Sequence, residues 1–505
     1  MSRLTTLTAT LAAVGLLAAG CSAGSGSTGT AAGEGRTDIV VAHTAEPTNL
    51  DFTTTSGAAI PQALMENVYE SLVRIDQNGE VQPALADSWE LSDDRLTYTF
   101  ALDPDATFSN GDPVTAEDVK FSYERVVSDE WTNALGAKMD IIDSIETPDE
   151  HTVAITLERP SNSWLFELAS LVGAVFSPDG VDDLANTAVG SGPYEVESFT
   201  RGQELVFAKR DDYAGSNPGD LETVTFRYFA DAVAAANALK SGQVDVIGNL
   251  QAPELTEEFE ADDATQVIEG TTNGEVVLSM NNAEGLFSDQ RVREAVLHGI
   301  DEQAVLDTAW GGKGTLIGGM VPPTDPYYED LTDVWPTDVE KARELIDEAG
   351  AEGESFTFTV PSLPYAQASA EIVAAQLKEI GLNAQIETQE FPAVWIEQTM
   401  TEKSYDMSVV NHAEARDILT VFGEGYYTGY DSSRIEDTAL AADEGTEEEY
   451  TEGMKDVART ITEDAAAGFL FLFPNLIVAD AGVTGLPENM VSDAFAIAQL
   501  GWSEG

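Results

Sequence analysis

The stretch SFTFTVPSLPYAQASAEIVAAQLKEIGLNAQIE occupies residues 355–387. Phe356, Phe358 and Val360 alternate with polar neighbours, the period of a half-buried strand. From Ser369 to Ile380 the pattern is helical: Val373, Leu377 and Ile380 share one face and Gly381 closes the helix. Leu382, Ala384 and Ile386 alternate again. Strand, helix and strand in succession predict a parallel pair joined by a right-handed crossover. A parallel unit of this kind belongs to an α/β fold.

Working outward, the same grammar recurs. A helix over Asp231–Ser241 precedes Val244-Asp245-Val246-Ile247, so α/β units stand in both halves of the chain. Leu96–Leu102 alternates as a strand. Thr115 and Asp118 have capping-box spacing ahead of Val119, Tyr123 and Val126, which share a helical face. Thr337 and Glu340 repeat that spacing before the stripe Ala342, Leu345, Ile346 and Ala349, and Gly350 marks the stop. At 505 residues the chain exceeds one hydrophobic core, and roughly three domains or subdomains are expected.

The N-terminus carries an address rather than a fold. Arg3, the apolar run Leu4–Leu17 and the small residues Ala18, Ala19 and Gly20 have the layout of a secretory signal over residues 1–20. The run is too short for a membrane span, which needs about 20 apolar residues. Cys21 is the one cysteine of the sequence, so no internal disulfide can form. Leu17–Cys21 resembles a bacterial lipobox, with Ala18 at the position where that motif usually has a larger aliphatic residue. The resemblance implies lipidation at Cys21. Two acyl chains there would hold the protein to the outer face of the cytoplasmic membrane. The Ser, Gly, Thr and Ala of residues 22–35 complete a flexible tether over 21–36.

Composition excludes several classes. With 90 Asp and Glu against 24 Lys and Arg, the formal net charge is −66. Such a surface repels nucleic acid and anionic headgroups. Hydrophobic residues at 43% argue against wholesale disorder. His43, His151, His298 and His412 have no zinc-helix spacing and no cysteine pair accompanies them, so neither a metal nor a cofactor is expected. Gly311–Thr315 lacks the first glycine and the Ser/Thr of a phosphate loop and reads as a turn. Gly20-Cys21-Ser22-Ala23-Gly24 matches the G-x-S-x-G pattern of serine hydrolases, but it falls on the cleavage site and tether, without a strand–turn–helix context, and is a coincidence.

Glu46-Pro47-Thr48-Asn49-Leu50-Asp51, Val68-Tyr69-Glu70-Ser71-Leu72-Val73, Pro83–Trp89, Phe108–Val119, Gly192-Pro193-Tyr194 and Phe287–Ala295 follow one another in order. Together they resemble family 5 of the solute-binding proteins, the oligopeptide- and dipeptide-binding group of ABC importers. The resemblance runs from Thr37 to about Trp502. It implies a two-lobed periplasmic-binding-protein fold of class II, closing about a hinge, with an additional domain inserted in lobe I. Lobe I would comprise 37–71, 189–272 and 483–505, the inserted domain 72–188, and lobe II 273–482. It further implies a monomer outside the cytoplasm that captures a small ligand, a short peptide, and passes it to the permease and ATPase subunits of an importer.

The same resemblance points to the segment after the strand Met407–Val410. There an acid near Glu414 would hold a peptide α-amino group, with Asn411, His412 and Asp417 beside it. Asn411 and Ile418 depart from the family's Trp and Pro at those positions. Ser56, Gly57 and Ala58 match the ligand-touching segment of lobe I. Trp395 is expected in a core. A non-peptide solute such as a nickel chelate or an oligosaccharide, and a secreted hydrolase, are the alternatives.

Overall fold

The computed structural model describes residues 35–55 and 57–503. The anticipated crossover is present: Ser355–Pro361 and Asn383–Gln389 pair in parallel, with the helix Pro364–Glu379 between them. That helix starts five residues before the expected Ser369, because Pro364 sits in its first turn, where a missing N–H costs nothing. The helix Val339–Ala349 is capped by Asp338, not Thr337: Asp338 Oδ1 accepts from Lys341 N at 2.9 Å. At Thr115 the expected reciprocal cap forms, with Thr115 N donating to Asp118 Oδ2 at 2.8 Å.

A ten-stranded sheet organises the molecule. At one end lie Tyr194–Thr200, Glu204–Lys209, Thr223–Tyr228, Asp38–His43 and Val246–Ile247. At the other lie Met407–His412, Ser355–Pro361 and Asn383–Gln389. Two long antiparallel strands, Thr265–Met280 and Ala467–Asp480, join them. Thr265–Thr271 pairs with Pro474–Asp480 in the first half, which we call lobe I. Glu275–Ser279 pairs with Ala467–Leu472 in the second, lobe II. Between these runs the register breaks from Thr271 to Glu275. There Thr272 Oγ1 donates to Phe473 O at 2.8 Å and accepts from Gly274 N at 3.0 Å. A broken ladder is softer than a continuous one, and this break is where the lobes can pivot.

The apolar cores divide accordingly. One includes Ile39, Phe207, Val224 and Ile477 and runs without a gap into Phe100, Val153 and Trp164. The latter three belong to a small antiparallel sheet, in the order Ala86–Leu91, Thr97–Leu102, Thr152–Leu157, Ile142–Asp149, and its flanking segments. This sheet therefore moves with lobe I. Lobe II has its own cores, around Leu278, Val373 and Phe471 and around Val421, Met454 and Phe469. Among the described residues no helix is long and apolar enough to cross a membrane.

Candidate functional site

The strand expected to end at Val410 continues to His412. Asn411 pairs with Val276 and His412 with Glu275 across the ladder, beside the register break. These two residues thus sit on a strand end rather than a free loop. Asn411 N donates to Tyr365 Oη at 2.9 Å. Its Oδ1 is buried without a partner, and a side chain on Gly274 would meet it at 2.8 Å. His412 faces inward: its Nε2 lies 3.0 Å from Tyr427 Oη and its ring stacks on Tyr427 at 6.0 Å. Burial pulls its imidazole down to about 4, so it is neutral at physiological pH. It supports the loop from beneath.

The chain then turns sharply. Arg416 takes a left-handed backbone, φ 55°. That conformation costs a side-chain-bearing residue on the order of 1 kcal/mol, and two contacts hold it. Arg416 Nε is 3.1 Å from Asp325 Oδ1, and its guanidinium lies 3.5 Å from the centre of the Phe166 ring. Phe166 belongs to the lobe I body, so the second contact crosses between lobes. Beyond Arg416, Asp417 opens the short helix Ile418–Val421 and is buried. Glu414 is exposed.

The lobe I wall facing Glu414 comes from two segments. The turn Ala134–Met139 carries Lys138, which pairs with Glu167 at 2.5 Å. Asp493, near the end of the chain, accepts from Leu171 N at 3.0 Å. The enclosing walls push the Glu414 carboxyl up although it is exposed; Lys138 opposes this, while Asp493 and Glu167 add to it. Asp417 is raised well above the carboxylate range by burial and then by the charge of Glu414. Glu275 is raised likewise by burial and then by Asp417.

The structure thus gathers Glu414, Asp417, His412 and Asn411 at the interlobe face of lobe II. Gly57 and Ala58 are exposed ahead of the helix Ala59–Leu64, and Ser56 and Cys21 lie outside the described residues. Gly57 and Ala58 approach the site only indirectly. Asn133 Nδ2 donates to Phe52 O at 3.1 Å and Thr55 O at 2.7 Å, fixing their loop to the turn that carries Lys138. Sequence reasoning missed Glu275, Asp325, Lys138, Glu167 and Asp493. Of these Glu275 had a local signal, an acid heading the apolar run Val276-Val277-Leu278. Trp395 is 2% exposed in a core, as expected. Among the described residues no group of three His, Cys, Asp or Glu is arranged to hold a metal ion.

A second interlobe contact lies apart from this site. Asp443, on the lobe II helix Glu436–Glu444, receives the lobe I segment 159–163. Its Oδ1 accepts from Ser161 Oγ at 2.9 Å, Asn162 N at 3.1 Å, Ser163 N at 3.0 Å and Ser163 Oγ at 2.9 Å. Its Oδ2 pairs with Arg159 at 2.6 Å. The lobes are closed on one another.

Comparison with known proteins gives a consistent picture. Residues 80–421 match the family model described as bacterial extracellular solute-binding proteins, family 5 middle. The Escherichia coli protein named "Probable D,D-dipeptide-binding periplasmic protein DdpA" is 26% identical over 504 residues, covering 91% of this chain and 96% of its own. Among solved structures, the Helicobacter pylori periplasmic binding protein DppA, in complex with the peptide STSA, superposes with a TM-score of 0.77. It is 24% identical, with 92% of this chain and 98% of that one covered. AgaA from Agrobacterium tumefaciens R10, in complex with agropinic acid, gives 0.79 at 24% identity, covering 93% and 99%.

Proposed function

This chain belongs to family 5 of the bacterial extracellular solute-binding proteins, and we propose that it captures short peptides between its lobes and delivers them to an ABC importer. The observation that carries this reading is the placement of Glu414 and Asp417. Two carboxyl groups stand at the interlobe face of a molecule whose halves are joined through a break in two long strands. A peptide α-amino group is a cation that such carboxylates bind, and closing the lobes over it removes water from the pair and strengthens it. The ligand's interaction with both walls favours the closed state, which a permease can recognise.

Native mass spectrometry of the purified protein tests the reading. A ladder of small extra masses that fragment as peptides is the expected result. A single non-peptide mass would move the function to another solute, as the agropinic acid bound by AgaA illustrates for this fold. The double variant Glu414→Gln/Asp417→Asn should bind peptide at least tenfold more weakly, about 1.4 kcal/mol. Unchanged affinity would remove these residues from the site.

Several finer features belong to the same proposal. The protein performs no chemistry on its ligand; loss of bound peptide with appearance of cleaved product would contradict this. Ser56, Gly57 and Ala58 contribute from the lobe I side. Lipidation at Cys21 anchors the protein outside the cytoplasmic membrane. A Cys21→Ala variant would then leave the membrane fraction, and its retention there would refute the anchor. The protein works as a monomer with the permease and ATPase subunits as partners.

A further inference from the structure

Away from the peptide face, lobe I holds a cavity with a cation that no protein group answers. The short strand Val73–Ile75 buries its two end residues and turns Arg74 the other way, into a recess of about 190 Å³. The facing wall is the C-terminal segment, with Asn489, Ser492 and Gln499. Arg74, Glu66 and Gln499 also line a neighbouring recess of about 60 Å³, so the two adjoin. Ile75 and Val491 pack with Ala415 of the interlobe loop, which separates this cavity from the peptide face. Arg74 is half-buried, yet it makes no hydrogen bond or ion pair with a described residue. Of the other described Lys and Arg side chains, only Arg201, Lys341 and Lys378 lack a polar partner, and those three stand exposed in solvent. In a chain with 90 acids against 24 cations, a guanidinium left unpaired inside a cavity is an exception. A fork of donors of this kind is a ready seat for an anion.

The acids around Arg74 narrow the kind of anion. Burial raises Glu66 to about 7; Arg74 and the Ser492 hydroxyl oppose this, and Asp493 adds to it. Burial raises Glu70 to about 7 as well, against the Tyr213 hydroxyl and the charge of Arg210, with Glu66 adding to it. Tyr213 Oη donates to Glu70 Oε1 at 2.8 Å. Asp76 spends both oxygens within its own hairpin: Oδ1 accepts from Asn78 N at 2.8 Å and Glu80 N at 3.1 Å, and Oδ2 from Gln82 Nε2 at 3.0 Å. A protonated Glu66 can donate a hydrogen bond to an anion seated on Arg74, whereas a doubly charged anion would be repelled by the surrounding acids. The neighbouring recess adds apolar surface from Met65, Val73, Pro193 and Ala498. We propose that this lobe I cavity binds a small monocarboxylate, its carboxylate forked on Arg74 and its apolar body against Met65, Val73, Pro193 and Ala498. The site is separate from the one that takes the transported solute, and it stands whether or not that solute is a peptide.

Saturation-transfer NMR of the purified protein with sodium butyrate tests the proposal, at constant total sodium and with chloride as the reference anion. The wild type is expected to bind butyrate saturably, and Arg74→Met to bind it about tenfold more weakly. Butyrate stays ionised between about pH 6 and pH 8.5, while Glu66 releases its proton across that range, so wild-type binding should weaken about fivefold as pH rises. This second measurement needs no variant and decides the matter if Arg74→Met does not fold. Absence of saturable binding, binding that survives Arg74→Met, or binding indifferent to pH overturns the proposal. Displacement of butyrate by equimolar inorganic phosphate would also overturn it, since the site would then accept anions at large. Displacement by Ala-Ala-Ala would do the same, by placing butyrate at the interlobe face.

Discussion

Replacing Asp443 by alanine should loosen the closed state without unfolding either lobe. Asp443 lies in lobe II, yet its carboxylate accepts from Ser161, Asn162 and Ser163 and pairs with Arg159, all in the lobe I body. Burial pushes its carboxyl up, but Arg159 and the serine and backbone donors outweigh this and hold it below its ordinary value. It therefore stays ionised at working pH. A hydrogen bond to a charged group is worth about 1.5–3 kcal/mol. In the open state water replaces these partners, and in the closed state of the variant Asn162 Nδ2 still reaches the carbonyls of Ala442, residue 443 and Gly445. Allowing for both, the closed state loses about 2–3 kcal/mol, a shift of roughly 30- to 150-fold in the closed-to-open ratio. Small-angle scattering of the ligand-free variant should show a larger radius of gyration, and calorimetry should show peptide affinity reduced at least tenfold. Asp456→Ala removes the same charge from an exposed lobe II pair with Arg459 and should change neither. If Asp443→Ala matches the wild type in both measurements, the contact does not bias closure and the reasoning fails.

Two further outcomes concern stability. Burial raises Glu66 and Glu70 to about 7 and Glu302 to about 8, so these groups hold protons in the folded state that the unfolded chain releases near 4.5. Their contribution is full at low pH and is lost as pH rises through 7 and 8. His43 and His412, lowered to about 4 by burial, act oppositely, but only between their unfolded value near 6.5 and 4. The melting temperature should therefore fall from pH 6.5 to 8.5, and Glu302→Gln should flatten that slope; a flat wild-type profile would refute it. Trp395→Ala should cost about 3–5 kcal/mol in urea unfolding, since the ring is 2% exposed and Nε1 donates to Ser408 Oγ at 3.1 Å. A loss below about 1 kcal/mol would mean the site collapses around the missing ring.

Much of the fold was legible because its signals are local. Phe356, Phe358 and Val360 announce a strand whatever surrounds them, and Gly350 adopts the left-handed cap expected of it, φ 70°. Where local signals competed, the nearer hydrogen-bond partner won. Asp338 caps the helix that Thr337 was expected to cap, and Pro364 starts a helix that the apolar stripe alone placed later. The strand end at His412 was missed for another reason. Its extension depends on pairing with Glu275, more than a hundred residues away, and nothing between Met407 and Asp417 encodes that partner.

The candidate site divides along the same line. Glu414 and Asp417 share one loop and could be read from it. The groups that set their electrostatics come from the turn at Lys138, the short helix at Glu167, the strand at Glu275, Asp325 and Asp493 near the chain end. With 90 acids in the sequence, no pattern distinguishes these carboxylates from those that face solvent. What distinguishes them is desolvation, a property of three-dimensional placement: the same side chain that ionises freely on the surface is pushed toward its protonated form once it is enclosed without a cation. In a protein carrying −66 overall, the exposed acids feel no such push, because water and salt screen them. Burial has stripped a few acids of that screening, and Glu275, with an oxygen that has no hydrogen-bond partner, is the most deeply buried of the carboxyl groups gathered at the interlobe face.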